Sequence, residues 1–218
     1  MKLLLTWASL FMLILSTSAQ QDPKAREVLD ELSAATKAYS TIKAEFTSKA
    51  VNKSSDMEEE YKGELWQKGE KYKLNFMDAI TYFNGEQKWV YMPDVMEVNL
   101  FSVNSDMASE SIFDNPQEIF TIYEEGFKYL YKGKTKFNGE DVIEIELVPE
   151  NTDLEYFKIK LYVNEAKDEI KGFKYFSKDG TRVTVTIDSF KTNIPMKDSM
   201  FAFDKSAHPD AELIDMRE

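Results

Sequence analysis

Two periodicities divide the chain. Ala25, Val28, Leu29, Leu32, Ala35 and Tyr39 recur at three- and four-residue spacing, which places one apolar stripe along a helix. Asp22-Pro23 sets its start, because an aspartate oxygen accepts from the free first-turn N–H groups and proline gives up a donor that has no partner there. Beyond Ser40 the period falls to two. Ile42, Ala44 and Phe46 alternate with polar residues, and the alternation returns at Tyr61-Gly63-Leu65, Tyr72-Leu74-Phe76, Ile80-Tyr82 and Trp89-Tyr91. It continues through residues 142–147, 157–163, Phe173-Tyr175 and Val183-Val185-Ile187, with Phe190 following. Asn84-Gly85 and Asn138-Gly139 carry the sequence that tolerates positive φ at both central positions of a type I′ turn, and Asp179-Gly180 acts similarly, so each marks a hairpin. Between residues 104 and 126 the alternation fails, and Asn115-Pro116 opens a short helical excursion with Ile119, Phe120 and Tyr123 on one face. Residues 191–218 alternate weakly, at Phe201 and Phe203, and are expected to wrap the sheet edge.

About ten or eleven strands and two helical segments, with no second βα unit, predict a mainly β fold: one large antiparallel sheet, curved or closed, with helices against one face. No repeat or linker interrupts the chain, so one domain is expected from residue 20 to 218. Residues 1–19 read as an address. Lys2 gives a positive start, residues 3–15 are an apolar run, and Ser16-Thr17-Ser18-Ala19 suits signal-peptidase cleavage. The run is shorter than the ~20 residues a spanning helix needs. A soluble, exported protein without a lipid anchor is expected.

Charge and residue inventory remove several functions. With 27 Lys+Arg against 39 Asp+Glu, the net charge is -12, and a nucleic-acid partner, which needs clustered cations, is not expected. Cysteine is absent, which excludes disulfides, thiolate metal sites, a Cys nucleophile and an acylated N-terminal Cys. The one histidine, His208, leaves neutral-pH acid–base chemistry to shifted carboxylates, Tyr or Lys. No nucleophile elbow, phosphate-binding loop, dinucleotide fingerprint or HExxH motif occurs. His208-Pro209-Asp210 matches the tripeptide of J-domain co-chaperones, but its strand-rich surroundings assign it to a turn. The acids of residues 56–60 lack calcium-loop spacing and read as a solvated loop. The expectation is a monomeric binding protein with no enzyme activity, metal or cofactor.

Aromatic content carries the positive signal. The chain has 15 Phe, 11 Tyr and 3 Trp, largely at alternating strand positions, where a small packed barrel would favour Val, Ile and Leu. Bulky side chains on a sheet of this many strands can instead line an apolar cavity.

Gly63-Glu64-Leu65-Trp66-Gln67-Lys68, then Tyr72-Lys73-Leu74-Asn75-Phe76, then residues 84–93 (NGEQKWVYMP), with Val95 and Val98 behind, resemble the outer-membrane lipoprotein carrier family, LolA. The starting helix, the Asp179-Gly180 turn and the closing Phe201-Ala202-Phe203-Asp204 extend the likeness over residues 22–217. The resemblance implies an incomplete β-barrel of about eleven strands, with helices as a lid over an apolar cavity. It implies a periplasmic chaperone that takes acylated lipoproteins from an inner-membrane ABC transporter and passes them to an outer-membrane acceptor. On the family motifs, Tyr72, Leu74, Phe76, Trp89 and Tyr91 would line the lipid cavity. The pattern of residues adds Phe46 to the wall and Ile119, Phe120 and Tyr123 to the lid. Many members carry an Arg directly after L-W-x-K that latches the lid; Gly69 stands there in this chain, so a lid held by apolar packing, or opening more readily, is expected. The alternatives are a general periplasmic binder of lipids or hydrophobic ligands, or a sensor on the same fold.

Overall fold

The helical stripe and the alternating runs fold as their periods dictate. A computed structural model of the chain describes residues 22–102, 126–166 and 168–217. Helix α1 (Pro23–Ala38) begins at Asp22, whose carboxylate accepts from the amides of Lys24 at 2.9 Å and Ala25 at 3.2 Å. A first meander follows: β1 (Ile42–Asn52), β2 (Met57–Lys68), β3 (Lys71–Phe76), β4 (Ala79–Phe83), β5 (Gln87–Met92) and β6 (Glu97–Ser102). A second comprises β7 (Phe127–Phe137), β8 (Glu140–Pro149), β9 (Tyr156–Asn164), β10 (Ile170–Ser177) and β11 (Arg182–Thr192). A 3-10 turn (Asp198–Phe201) and β12 (Glu212–Asp215) close the chain.

All twelve strands form one sheet in the order β12-β6-β5-β4-β3-β2-β1-β11-β10-β9-β8-β7. The antiparallel β1–β11 pairing joins the two meanders. The sheet ends at β12 and β7 without closing, as an incomplete barrel with α1 lying on one face.

Three features depart from expectation. Residues 212–215 do more than wrap an edge: they add a strand, and β12 runs parallel to β6 within an otherwise antiparallel sheet. The reason is unpaired backbone on β6. Glu212 N–H donates to the Met96 carbonyl at 2.7 Å, and Met216 N–H to that of Leu100 at 2.8 Å. Second, β7 is absent from the runs that alternation picks out. It is an edge strand that interleaves Phe127, Tyr129 and Tyr131 with Lys128 and Lys132, then shifts register at Gly133; lysines and a bulge discourage edge-to-edge pairing. Third, Asn138 and Gly139 both have positive φ, as a type I′ turn requires, but at 84–85 only Gly85 does. Asn84 instead accepts the amides of Glu86 and Gln87 through its side chain, both at 2.9 Å.

Apolar packing separates the two faces of the sheet. On the inner face Ala25, Val28, Leu29 and Leu32 of α1 are at most 2% exposed against Leu65, Leu74, Ile145, Leu147 and Leu161. Each such Leu or Val contributes about 1.5–3 kcal/mol by leaving water. A second cluster, of Tyr82, Tyr91, Val98 and Ala211, lies apart from the first.

Candidate functional site

The inner face carries the larger of the two apolar clusters, and many of its members are aromatic. Phe46 and Phe76 meet with ring centroids 5.3 Å apart, Tyr72 and Phe83 also at 5.3 Å, and the Tyr61 ring lies edge-on to Phe76 at 6.3 Å. Cross-strand register brings them there. Phe46 stands opposite Gly63, Leu65 opposite Leu74, and Tyr72 opposite Phe83, so these positions share one side of the pleat. Across the sheet, Tyr156 packs on Tyr175 at 5.0 Å and on Phe127 at 6.5 Å. The wall grades outward: Phe46, Tyr72 and Leu74 are buried, while Phe76, Phe83, Tyr131, Tyr175 and Phe190 are only partly covered.

Four of the six expected wall residues, Phe46, Tyr72, Leu74 and Phe76, are thus assembled in one apolar cluster. Trp89 and Tyr91 are not among them. Phe83 pairs with Lys88 and Tyr82 with Trp89, so Trp89 and Tyr91 fall on the opposite side of the sheet from Tyr72. There Tyr91 packs on Phe203 at 5.2 Å and on His208 at 4.7 Å, beneath the C-terminal segment. His208 lies in a turn: its amide donates to the Lys205 carbonyl at 3.2 Å and its carbonyl accepts from Ala211 at 3.1 Å. The expected lid residues Ile119, Phe120 and Tyr123 lie outside the described residues.

Helix α1 is the cover that is described, and polar contacts at both of its ends tie it to the sheet and its turns. The second carboxylate oxygen of Asp22 accepts the Tyr131 amide of edge strand β7 at 3.0 Å, and Arg26 Nε donates to the Tyr129 hydroxyl at 2.8 Å. The Lys24 ammonium sits 4.0 Å above the Tyr131 ring. Donation by the Tyr131 amide, more than by the first-turn amides, holds the Asp22 carboxyl below its ordinary range. At the other end the Tyr39 hydroxyl donates to the Asp168 carbonyl at 3.3 Å. Pattern reading missed this tether, since nothing in the order of residues links Asp22 to a strand more than a hundred positions later.

Gly69, where the family pattern has Arg, occupies the β2–β3 turn at φ +56. Its neighbours do other work: Lys68 and Lys71 each place an ammonium 2.6 Å from the Asp198 carboxylate, fixing the 3-10 turn to this hairpin. Gln67 was also missed. Opposite Tyr72 in the register, its Oε1 is buried and accepts no hydrogen bond among the described residues. Among those residues no cluster of three or more His, Asp or Glu could hold a metal ion, and no helix is long and apolar enough to cross a membrane.

The profile of the family described as outer membrane lipoprotein carrier protein LolA matches residues 37–204. A structure of an uncharacterized conserved protein from Thermus thermophilus superposes with a TM-score of 0.59 at 10% identity, over 88% of this chain and 99% of that one, and shows the same fold. An outer membrane lipoprotein-sorting protein domain from Vibrio parahaemolyticus gives a TM-score of 0.46 at 13% identity, over 82% and 96% of the two chains. A LolA superfamily protein from Nitrosomonas europaea gives 0.43 at 13% identity, over 82% and 97%. No curated protein sequence matches the chain.

Proposed function

The chain belongs to the LolA family of outer membrane lipoprotein carrier proteins, and from that membership we propose that it is a periplasmic carrier of lipoproteins. In this reading it takes their acyl chains against the inner face of the sheet and ferries them from an inner-membrane ABC transporter to an outer-membrane acceptor, without catalysis. The observation that carries the reading is the apolar wall of Phe46, Tyr72, Leu74 and Phe76, which shares one cluster with the buried face of helix α1. An acyl chain leaving a membrane loses about 0.8 kcal/mol for each methylene exposed to water, so a carrier has to offer broad apolar surface. It also has to release its load, and an apolar surface that makes no directional bond to an acyl chain holds chains of different length without locking any one of them.

Purified protein incubated with membranes bearing newly made lipoproteins is expected to release some of them as a soluble one-to-one complex, and to bind a fluorescent acyl probe. Phe76→Glu, at a partly covered position of the wall, is expected to abolish probe binding because a buried unpaired carboxylate is costly. Absence of both release and probe binding in the unmodified protein would sink the carrier reading.

A further inference from the structure

The side of the sheet away from α1 has a feature of its own. A groove of about 520 Å³ crosses the outer face of β1, β9, β10 and β11, lined by Lys53, Lys160, Tyr162, Lys174, Phe176 and Arg182 among others. Its side follows from register: Phe173 and Val185 pair within the inner core, so their neighbours Lys174 and Thr184, which also pair, point outward. We propose that this groove binds a phosphate ester of headgroup size.

Charge is the first ground. In a chain of net charge -12, four cations border one depression, compensated in part: the Asp179 carboxylate acts on Arg182, and those of Glu144 and Glu146 act on Lys160. Lys160 is paired with Glu144 at 2.8 Å, whereas Lys53, Lys174 and Arg182 make no ion pair among the described residues. Like charges held together repel until an anion joins them.

Pre-organisation is the second. Arg182 Nη1 donates to the carbonyls of Ser177 at 3.0 Å and Thr181 at 2.9 Å, and the guanidinium lies 5.1 Å from the Phe176 ring centroid and 5.5 Å from that of Phe157. Its Nε and Nη2 donors have no partner among the described residues, and a fixed planar fork suits phosphate oxygens. The hydroxyls of Ser54, Tyr162 and Thr184 add neutral donors. Tyr162 is anchored against the Phe137 ring at 4.2 Å, and burial raises its phenol pKa above the ordinary value.

Size is the third. The volume lies in the range of about 300–1,000 Å³ typical of small-molecule sites, more than a bare phosphate fills, and Val51 and Phe176 offer apolar surface to an organic remainder.

The test uses the full folded protein with three probes: inorganic phosphate, sn-glycerol 3-phosphate, and phosphatidylglycerol vesicles set against phosphatidylcholine vesicles. Saturable amide shifts in NMR spectra confined to Gly180, Thr184 and their neighbours are expected with glycerol phosphate. They are expected to be weakened about tenfold or more in Lys53→Gln/Lys174→Gln, and unchanged in Lys62→Gln, an exposed control on β2. Binding of the soluble ester assigns a free phosphate ester as ligand; sedimentation with phosphatidylglycerol vesicles alone, lost in the double variant, assigns a lipid headgroup. No response to any probe overturns the proposal, and so does binding undiminished in the double variant or equally lost in Lys62→Gln. Acyl-probe binding measured in the same variants stays unchanged, because that site lies on the other face; its fate therefore tests the carrier reading separately.

Discussion

A Cβ on Gly63 would collide with the ring of Phe46, its cross-strand partner. The aromatic ring lies flat over the glycine, covering backbone that would otherwise be bare, and so reaches Phe76. Gly63→Ala is expected to cost about 1–3 kcal/mol through overpacking, read as a lower urea midpoint at unchanged slope. Adding Phe46→Leu should return part of that loss, because the collision is then gone. Purely additive losses would show that the two residues are not coupled. Tyr91 makes the opposite case. It is packed against Phe203 and His208, on the face away from α1, so Tyr91→Ala should cost about 3 kcal/mol of stability and leave acyl-probe affinity unchanged. A loss of probe binding at retained stability would place Tyr91 in the acyl site and contradict the face assigned by register.

The 3-10 turn is held to the sheet by charge. Lys68 and Lys71 clasp Asp198 and, by hydrogen bonding first and charge second, lower its pKa from 3.8 to about 2. A carboxyl whose folded pKa is depressed stabilises the fold above its unfolded pKa and loses that contribution as pH falls through the folded value. Asp198→Asn is therefore expected to lower the melting temperature by a constant amount above about pH 5, with the gap to the unmodified protein closing between about pH 4 and pH 2. A gap as large at pH 2 as at pH 5 would mean that the clasp is not electrostatic. The clasp was invisible in the sequence because its partners lie 127 and 130 positions apart. What the sequence carried well was local period: α1 and most strands follow directly from spacings of three to four and of two. What it carried poorly was which face a residue takes. Ile187 and Phe190 share the inner face despite odd spacing, because the register skips Asp188 at a bulge. A second shift, at Phe176/Ser177, turns Tyr156 inward and leaves Phe157 42% exposed. Trp89 and Tyr91 alternate as strand residues should, but in β4–β6 both faces carry apolar residues, because the C-terminal segment covers the outer one. Alternation alone cannot choose between two apolar faces.

For the molecule as a whole, the open sheet and α1 pose a competition. Val28, Leu29 and Leu32 occupy the inner face, which in the carrier reading is also the surface an acyl chain needs. Affinity is then reduced by the work of displacing the helix, a conformational cost that a looser helix would lower. Asp22→Ala removes both the N-cap and the tie to Tyr131 of β7. Losing an N-cap costs about 1 kcal/mol, and the same free energy taken from helix docking corresponds to an acyl-probe affinity about fivefold higher. The variant is thus expected to melt at a lower temperature and yet bind the probe more tightly, opposite signs that a merely damaged fold does not produce. Melting curves and probe titrations on one preparation decide the matter. Stability and affinity falling together would identify α1 as part of the binding wall, and the acyl chain would then have to lodge beside the helix.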